Sequence, residues 1–147
     1  MIPAIVTATA ADADAVVSLV RELGESWGEP SGVDADYVRH YLDFPGRVVL
    51  LAEAAGERVG MLVYSLNPNL FHAADGCLIE DLYVRPSWRG NGVGRALVAH
   101  VMAEAPRRGW AEVSVSTGND NAAALSLYRG QGLVEEYVLL EKHFPAA

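Results

Sequence analysis

Apolar residues along the chain recur at two spacings, and the switches between them mark out the elements. Residues 2–8 form a short run with β-branched members that predicts a first strand. Thr9 and Asp12 have the spacing of a capping box, and Val16, Leu19, Val20 and Leu23 then recur at helical intervals, with Gly24 where a C-terminal cap belongs. Residues 25–32, rich in Gly, Pro and Ser, read as a loop. Asp34 is then placed to cap a second helix with Tyr37, Val38, Tyr41 and Leu42 on one side, which Pro45-Gly46 ends. Residues 48–54 and 59–66 are apolar strands joined by the turn residues 55–58, a hairpin by turn chemistry. Asn67-Pro68-Asn69 breaks the pattern and opens a loop to Gly76 that carries Leu70, Phe71 and His72. Residues 77–84 are a strand with two adjacent acids in an apolar setting, and residues 92–105 a helix with Val93, Ala96, Leu97 and Val101 inward, ended by Pro106 and Gly109. Residues 112–116 alternate like a strand, 121–129 form a short helix, and strand character returns from Gly132 to Leu140. Helices separated by strands, with an early hairpin and no repeat, predict a mixed α/β (α+β) sheet domain.

Composition narrows the class. The chain has 147 residues, 51% of them apolar, and a net charge of −8, which fits a single domain over residues 1–147 burying about two-thirds of its unfolded surface. No apolar run approaches a membrane span, and no basic segment precedes an apolar one near residue 1, so the expectation is a cytoplasmic protein without a membrane partner. Cys77 is the lone cysteine, which excludes an internal disulfide and a cysteine zinc site. His40, His72, His100 and His143 show no ligand spacing, so no metal is expected. The excess of acids disfavours nucleic acid and favours cationic partners.

The chemistry concentrates in Arg89-Gly90-Asn91-Gly92-Val93-Gly94, between a strand and a helix start. Free backbone N–H groups and the positive end of the helix dipole make such a junction an anion site, glycine lets phosphate oxygens approach, and Arg89 and Arg95 add charge. A P-loop would need Gly-Lys-Ser/Thr, which is absent, and a dinucleotide fingerprint would need its third glycine at Arg95.

Val84-x-Pro86-x-x-Arg89-Gly90-x-Gly92-x-Gly94 resembles the acetyl-CoA pyrophosphate motif of the GNAT N-acetyltransferase superfamily, and Asn121, Ala124-Leu125, Leu127-Tyr128 and Gly132-Leu133 resemble its later helix and strand. The resemblance spans roughly residues 48–140. It implies a mixed, mostly antiparallel sheet of about six to seven strands, splayed between the fourth and fifth, with about four flanking helices. It implies, too, that the backbone of Leu82, Tyr83 and Val84 pairs with the pantetheine arm. The N–H groups of Gly90, Asn91, Gly92, Val93, Gly94 and Arg95 would hold the pyrophosphate, with Asn121 bonding the cofactor near a pantetheine amide.

Acyl transfer to an amine needs a deprotonated nucleophile, donors for the oxyanion and a proton for the leaving thiolate. The run Ile79-Glu80-Asp81-Leu82-Tyr83-Val84 resembles family members acting on polyamines and related amines, which implies that Glu80 contacts the amine or a deprotonating water. The family role of Tyr128 is general acid to the sulfur. Strict alternation puts Glu80 and Leu82 on one face and Asp81 and Tyr83 on the other, and Asp81 reads as a structural acid bonding the turn at residues 85–89. Trp27, Tyr37, Tyr41 and Phe71 lie in the segments that wall the acceptor pocket in this family, and an aromatic wall suits a cation. Glu25, Glu29, Asp34, Asp36, Asp43 and Asp75 in the same segments point to a negative mouth.

The resulting expectation is an acetyl-CoA-dependent N-acetyltransferase for a small, cationic primary amine, with direct attack in a ternary complex. A non-catalytic acyl-CoA sensor and a peptide or protein N-terminal acetyltransferase are the competing readings. A homodimer built on the terminal strands would be usual for such a family.

Overall fold

The computed structural model describes residues 2–145. Its strands β1 (Ala4–Thr7), β2 (Arg47–Ala54), β3 (Glu57–Asn69), β4 (Ala74–Val84) and β5 (Glu112–Val115) lie side by side in chain order. Neighbours are antiparallel except β4 and β5, which run parallel. Helices α1 (Ala13–Ser26) and α2 (Ala35–Asp43) cover one face, α3 (Val93–Arg108) and α4 (Ala122–Gly130) the other.

The continuous apolar runs of the middle strands follow from burial on both faces. Val49 and Leu51 of β2 join Val16, Leu19, Leu23 and Val38 under α1 and α2, while Leu50 and Ala52 join Leu97, Val98, Val101 and Tyr128 under α3 and α4.

Local signals account for most of the ends. The Thr9 N–H donates to Asp12 Oδ2 at 2.8 Å in a capping box, and Asp34 Oδ1 accepts from Tyr37 N–H at 2.8 Å as the cap of α2. Ala55 and Gly56 take φ of 52° and 77°, the left-handed pair that closes a tight β2–β3 hairpin. Gly24 does not end its helix. α1 continues to Ser26, and the Gly24 carbonyl accepts from Trp27 and Glu29.

Three other expectations are corrected. Asn67-Pro68-Asn69 is not a loop but the outer end of β3, paired with Gly76, Asp75 and Ala74. It tolerates proline because β2 stops at Arg47 opposite Ser65, leaving that part of β3 with a neighbour on one side only. Pro106 lies inside the last turn of α3, and the left-handed Gly109 (φ 71°) ends the helix. The described residues form five strands rather than six or seven, because the stretch after Gly132 is not a strand. It has strand composition but no neighbour to pair with, and leaves Val134, Tyr137, Val138, Leu139 and Leu140 exposed.

Two irregularities of the sheet position the site. β4 pairs with β5 only from Gly76 to Ile79, so the strands part beyond Ile79 and the β5-side edge of residues 80–84 has no strand beside it. On its other side β4 carries a bulge: Val63 pairs with Asp81 and Tyr64 with Ile79, so Glu80 is the extra residue. The bulge resets the alternation, placing Ile79, Leu82 and Val84 together on the α3–α4 side and Tyr83 on the α1–α2 side.

Candidate active site

The turn after β4 is built as an anion cradle. Gly90 and Gly92 adopt left-handed φ of 77° and 81°, and a Cβ at either would meet nothing within 4 Å, so the backbone there opens onto free space. Ala96 N–H bonds the Gly92 carbonyl at 3.0 Å, which leaves the N–H groups of Val93, Gly94 and Arg95 as the unsatisfied first turn of α3. Gly94 faces inward instead, its Cβ position in contact range of Leu127, Val84 and Leu82. A pyrophosphate fits this arrangement of open backbone donors at a helix start.

The turn is not held by Asp81, the structural acid expected to bond it: among the described residues no side-chain hydrogen bond or ion pair joins Asp81 to residues 85–89. Arg89 Nε donates to the Val84 carbonyl at 2.9 Å, Asn91 Nδ2 donates to the Arg89 and Trp88 carbonyls, and the Arg89 guanidinium lies 5.7 Å from the Tyr83 ring centroid. Glu22 of α1, a residue that sequence pattern gave no reason to single out, takes both Nε and Nη2 of Arg85 on Oε2, at 3.2 and 3.0 Å.

Glu80 does not share a face with Leu82. The bulge turns it toward α2, where Tyr41 Oη donates to Glu80 Oε2 at 2.8 Å. Burial, and then the bond to Glu80, raise the Tyr41 pKa well above the ordinary phenol range. Tyr41, Glu80 and Asp81 line a pocket of about 170 Å³ with apolar walls that include Val20, Val33, Val49 and Val63. Its neighbour, sharing Val20, Val33 and Tyr37, is an open groove of about 750 Å³ edged by Asp34, Asp36 and His40. Burial, and next the charge of Glu80, raise the Asp81 pKa.

Tyr128 is buried at 6% exposure on α4. Burial and the charge of Asp81 raise its pKa, so its phenol stays protonated at neutral pH. Asn121 caps α4 through its side-chain oxygen, which accepts from Ala124 N–H at 3.1 Å and leaves its NH2 free to donate. Tyr37 and Tyr41 reach the pocket, whereas Trp27 and Phe71 are exposed and lie outside its lining. Cys77 is fully buried, its thiol pushed up to about 12 by burial. No helix among the described residues is long and apolar enough to cross a membrane, and no three or more His, Cys, Asp or Glu side chains among them could hold a metal ion.

The structure combines an open strand edge on β4, a glycine cradle after it and a buried phenol on α4. The chain belongs to the acetyltransferase (GNAT) family, whose model matches residues 16–133. The aminoglycoside N(6')-acetyltransferase type 1 of Stenotrophomonas maltophilia is 31% identical over 136 residues, covering 90% of this chain and 87% of that protein. The [ribosomal protein bS18]-alanine N-acetyltransferase of Escherichia coli K12 is 30% identical over 110 residues, covering 69% and 72%. Among solved structures, an aminoglycoside acetyltransferase from an uncultured soil metagenomic sample, in complex with sisomicin, superposes with a TM-score of 0.85 at 19% identity, covering 99% of this chain and 97% of that one. The mixed, splayed sheet of the family is thereby matched in fold, with five strands here.

Proposed function

We propose that the protein transfers the acetyl group of acetyl-CoA to the primary amine of a small cationic acceptor, by direct attack in a ternary complex. The observation that carries this reading is the parting of β4 from β5 beyond Ile79, which leaves an open strand edge between the cradle at residues 89–95 and the pocket of Tyr41 and Glu80. Acetyl-CoA supplies the activated acyl group. The open edge at Leu82 to Val84 offers backbone groups to its arm and N–H donors for the developing oxyanion.

The remaining steps belong to side chains. An alkyl ammonium, with a pKa of about 10.4, must lose a proton before it can attack. Glu80, exposed and held by Tyr41, takes that proton and passes it to solvent, directly or through water. Tyr128 gives its phenolic proton to the departing sulfur. A covalent route through Cys77 is closed, because its thiol is buried and stays protonated.

The unpaired apolar stretch after Gly132 supports a homodimer in which a second copy covers it. Acetylation of a peptide or protein N-terminus is the second reading, favoured by the open groove of about 750 Å³ beside the pocket. A screen of polyamines, aminoglycosides, amino acids and peptides with acetyl-CoA, followed by free thiol release, decides between them. Turnover of small amines is expected; turnover of peptides alone would favour the second reading. Tight donor binding with no turnover on any amine would point to an acyl-CoA sensor.

A further inference from the structure

We infer that Asp81 selects the cationic acceptor, its carboxylate receiving the acceptor's ammonium inside the pocket between α1, α2 and β4. This rests on the acetyltransferase reading above and assigns the charge recognition of the same site to a residue other than the proposed base.

The bulge at Glu80 is what brings Asp81 there. In a regular strand one of two adjacent acids would be driven into the opposite core, but with Glu80 inserted as an unpaired residue both carboxylates line one pocket. Their situations differ. Glu80 is exposed and already accepts the Tyr41 hydroxyl, whereas Asp81 is less exposed and receives no hydrogen bond or ion pair from any side chain among the described residues. No fully buried side-chain oxygen or nitrogen among those residues lacks a partner, so the Asp81 oxygens are not sealed in protein, and Asp81 lines the pocket.

Glu80 on its own strand and Tyr41 from α2 line the pocket with Asp81, and the charge of Asp81 raises the pKa of Tyr41 and of Tyr128, which lies in the core on the α3–α4 side. No Arg, Lys or His side chain lines this pocket, and the charge of Arg47 reaches Tyr41 from outside the lining. An ammonium beside Asp81 would relieve that crowding of negative charge, and the valines on α1, β2 and β3 would take the methylenes next to it. A volume of about 170 Å³ holds roughly five or six non-hydrogen atoms at about 30 Å³ each, the size of an aminoalkyl arm. The rest of the acceptor would lie in the open groove edged by Asp34 and Asp36.

The test is steady-state kinetics of Asp81→Asn with the best amine from the screen. The amine KM should rise about ten- to a hundredfold, as loss of a charged hydrogen bond implies, while kcat and the KM for acetyl-CoA stay within about threefold. An unchanged amine KM, or an acetyl-CoA KM that rises in step, overturns the assignment. Should the variant fail to fold, the wild type decides: its amine KM should climb as pH falls from about 7 to about 4, while the amine itself stays charged, and a flat KM overturns the assignment equally. If the wild type acetylates no amine, the acetyltransferase reading falls and this assignment with it. A working wild type with an indifferent Asp81→Asn removes only the assignment.

Discussion

Asp81 is held where folding disfavours its charge. Its pKa is raised chiefly by burial, so the folded state prefers the protonated form. The stability it contributes is fully present below the ordinary carboxylate pKa of about 4 and is lost as pH rises through the folded value. Asp81→Asn should therefore melt at a higher temperature than the wild type at neutral pH, with the gap closing in acid; equal melting curves at every pH would refute the sign. Tyr128 makes the complementary prediction. Its protonated phenol is kept as a donor by burial, so Tyr128→Phe should lower kcat by about one to three orders of magnitude without changing donor affinity, and unaltered turnover would reduce it to a core residue. At this scale legibility was uneven. The glycine cradle could be read because its spacing is local and each turn glycine has a backbone reason. The facing of Glu80 and Asp81 could not, because a bulge depends on the partner strand. One signal was available: two acids side by side in an apolar strand conflict with strict alternation, and a bulge resolves the conflict.

The elements were legible in kind and order, and the errors fall at their ends. Gly24, Asn67-Pro68-Asn69 and Pro106 each carry a breaking signal that tertiary context overrides. The peptide around Gly24 shows how. A Cβ there would sit 2.5 Å from the Glu29 carbonyl, so the glycine is required by the chain folding back over the helix rather than by a helix end. The terminal stretch is the opposite case, where strand composition was read correctly but a strand needs a neighbour. That unpaired row of apolar side chains gives the element-scale prediction. In sedimentation equilibrium the protein should weigh as a dimer, and Leu140→Glu, at a position 88% exposed in the single chain, should shift it toward monomer. A monomeric wild type would remove the dimer.

Across the whole molecule, one sheet carries two cores that serve different tasks. The α1–α2 side walls the pocket proposed for the acceptor, the α3–α4 side supports the cradle and Tyr128, and β4 is shared between them. The unbroken apolar runs of the middle strands were read as strands, and the structure shows why they do not alternate: both faces are buried. The distance over which β4 and β5 stay paired was not legible, because the acids that begin at Glu80 mark an irregularity in β4 without saying which neighbouring strand it loses.

That parting makes the protein its own reporter. Amides on the unpaired edge of residues 80–84 have no strand to protect them from exchange, whereas the same strand's β3-side amides are locked in a ladder. In hydrogen–deuterium exchange, acetyl-CoA should slow uptake in a peptide covering residues 80–84 together with one covering 89–95, and leave the β2–β3 hairpin unaffected. Protection absent from both peptides would misplace the donor. Occupancy of the site can thus be followed, and donors ranked by acyl group, before any acceptor is identified.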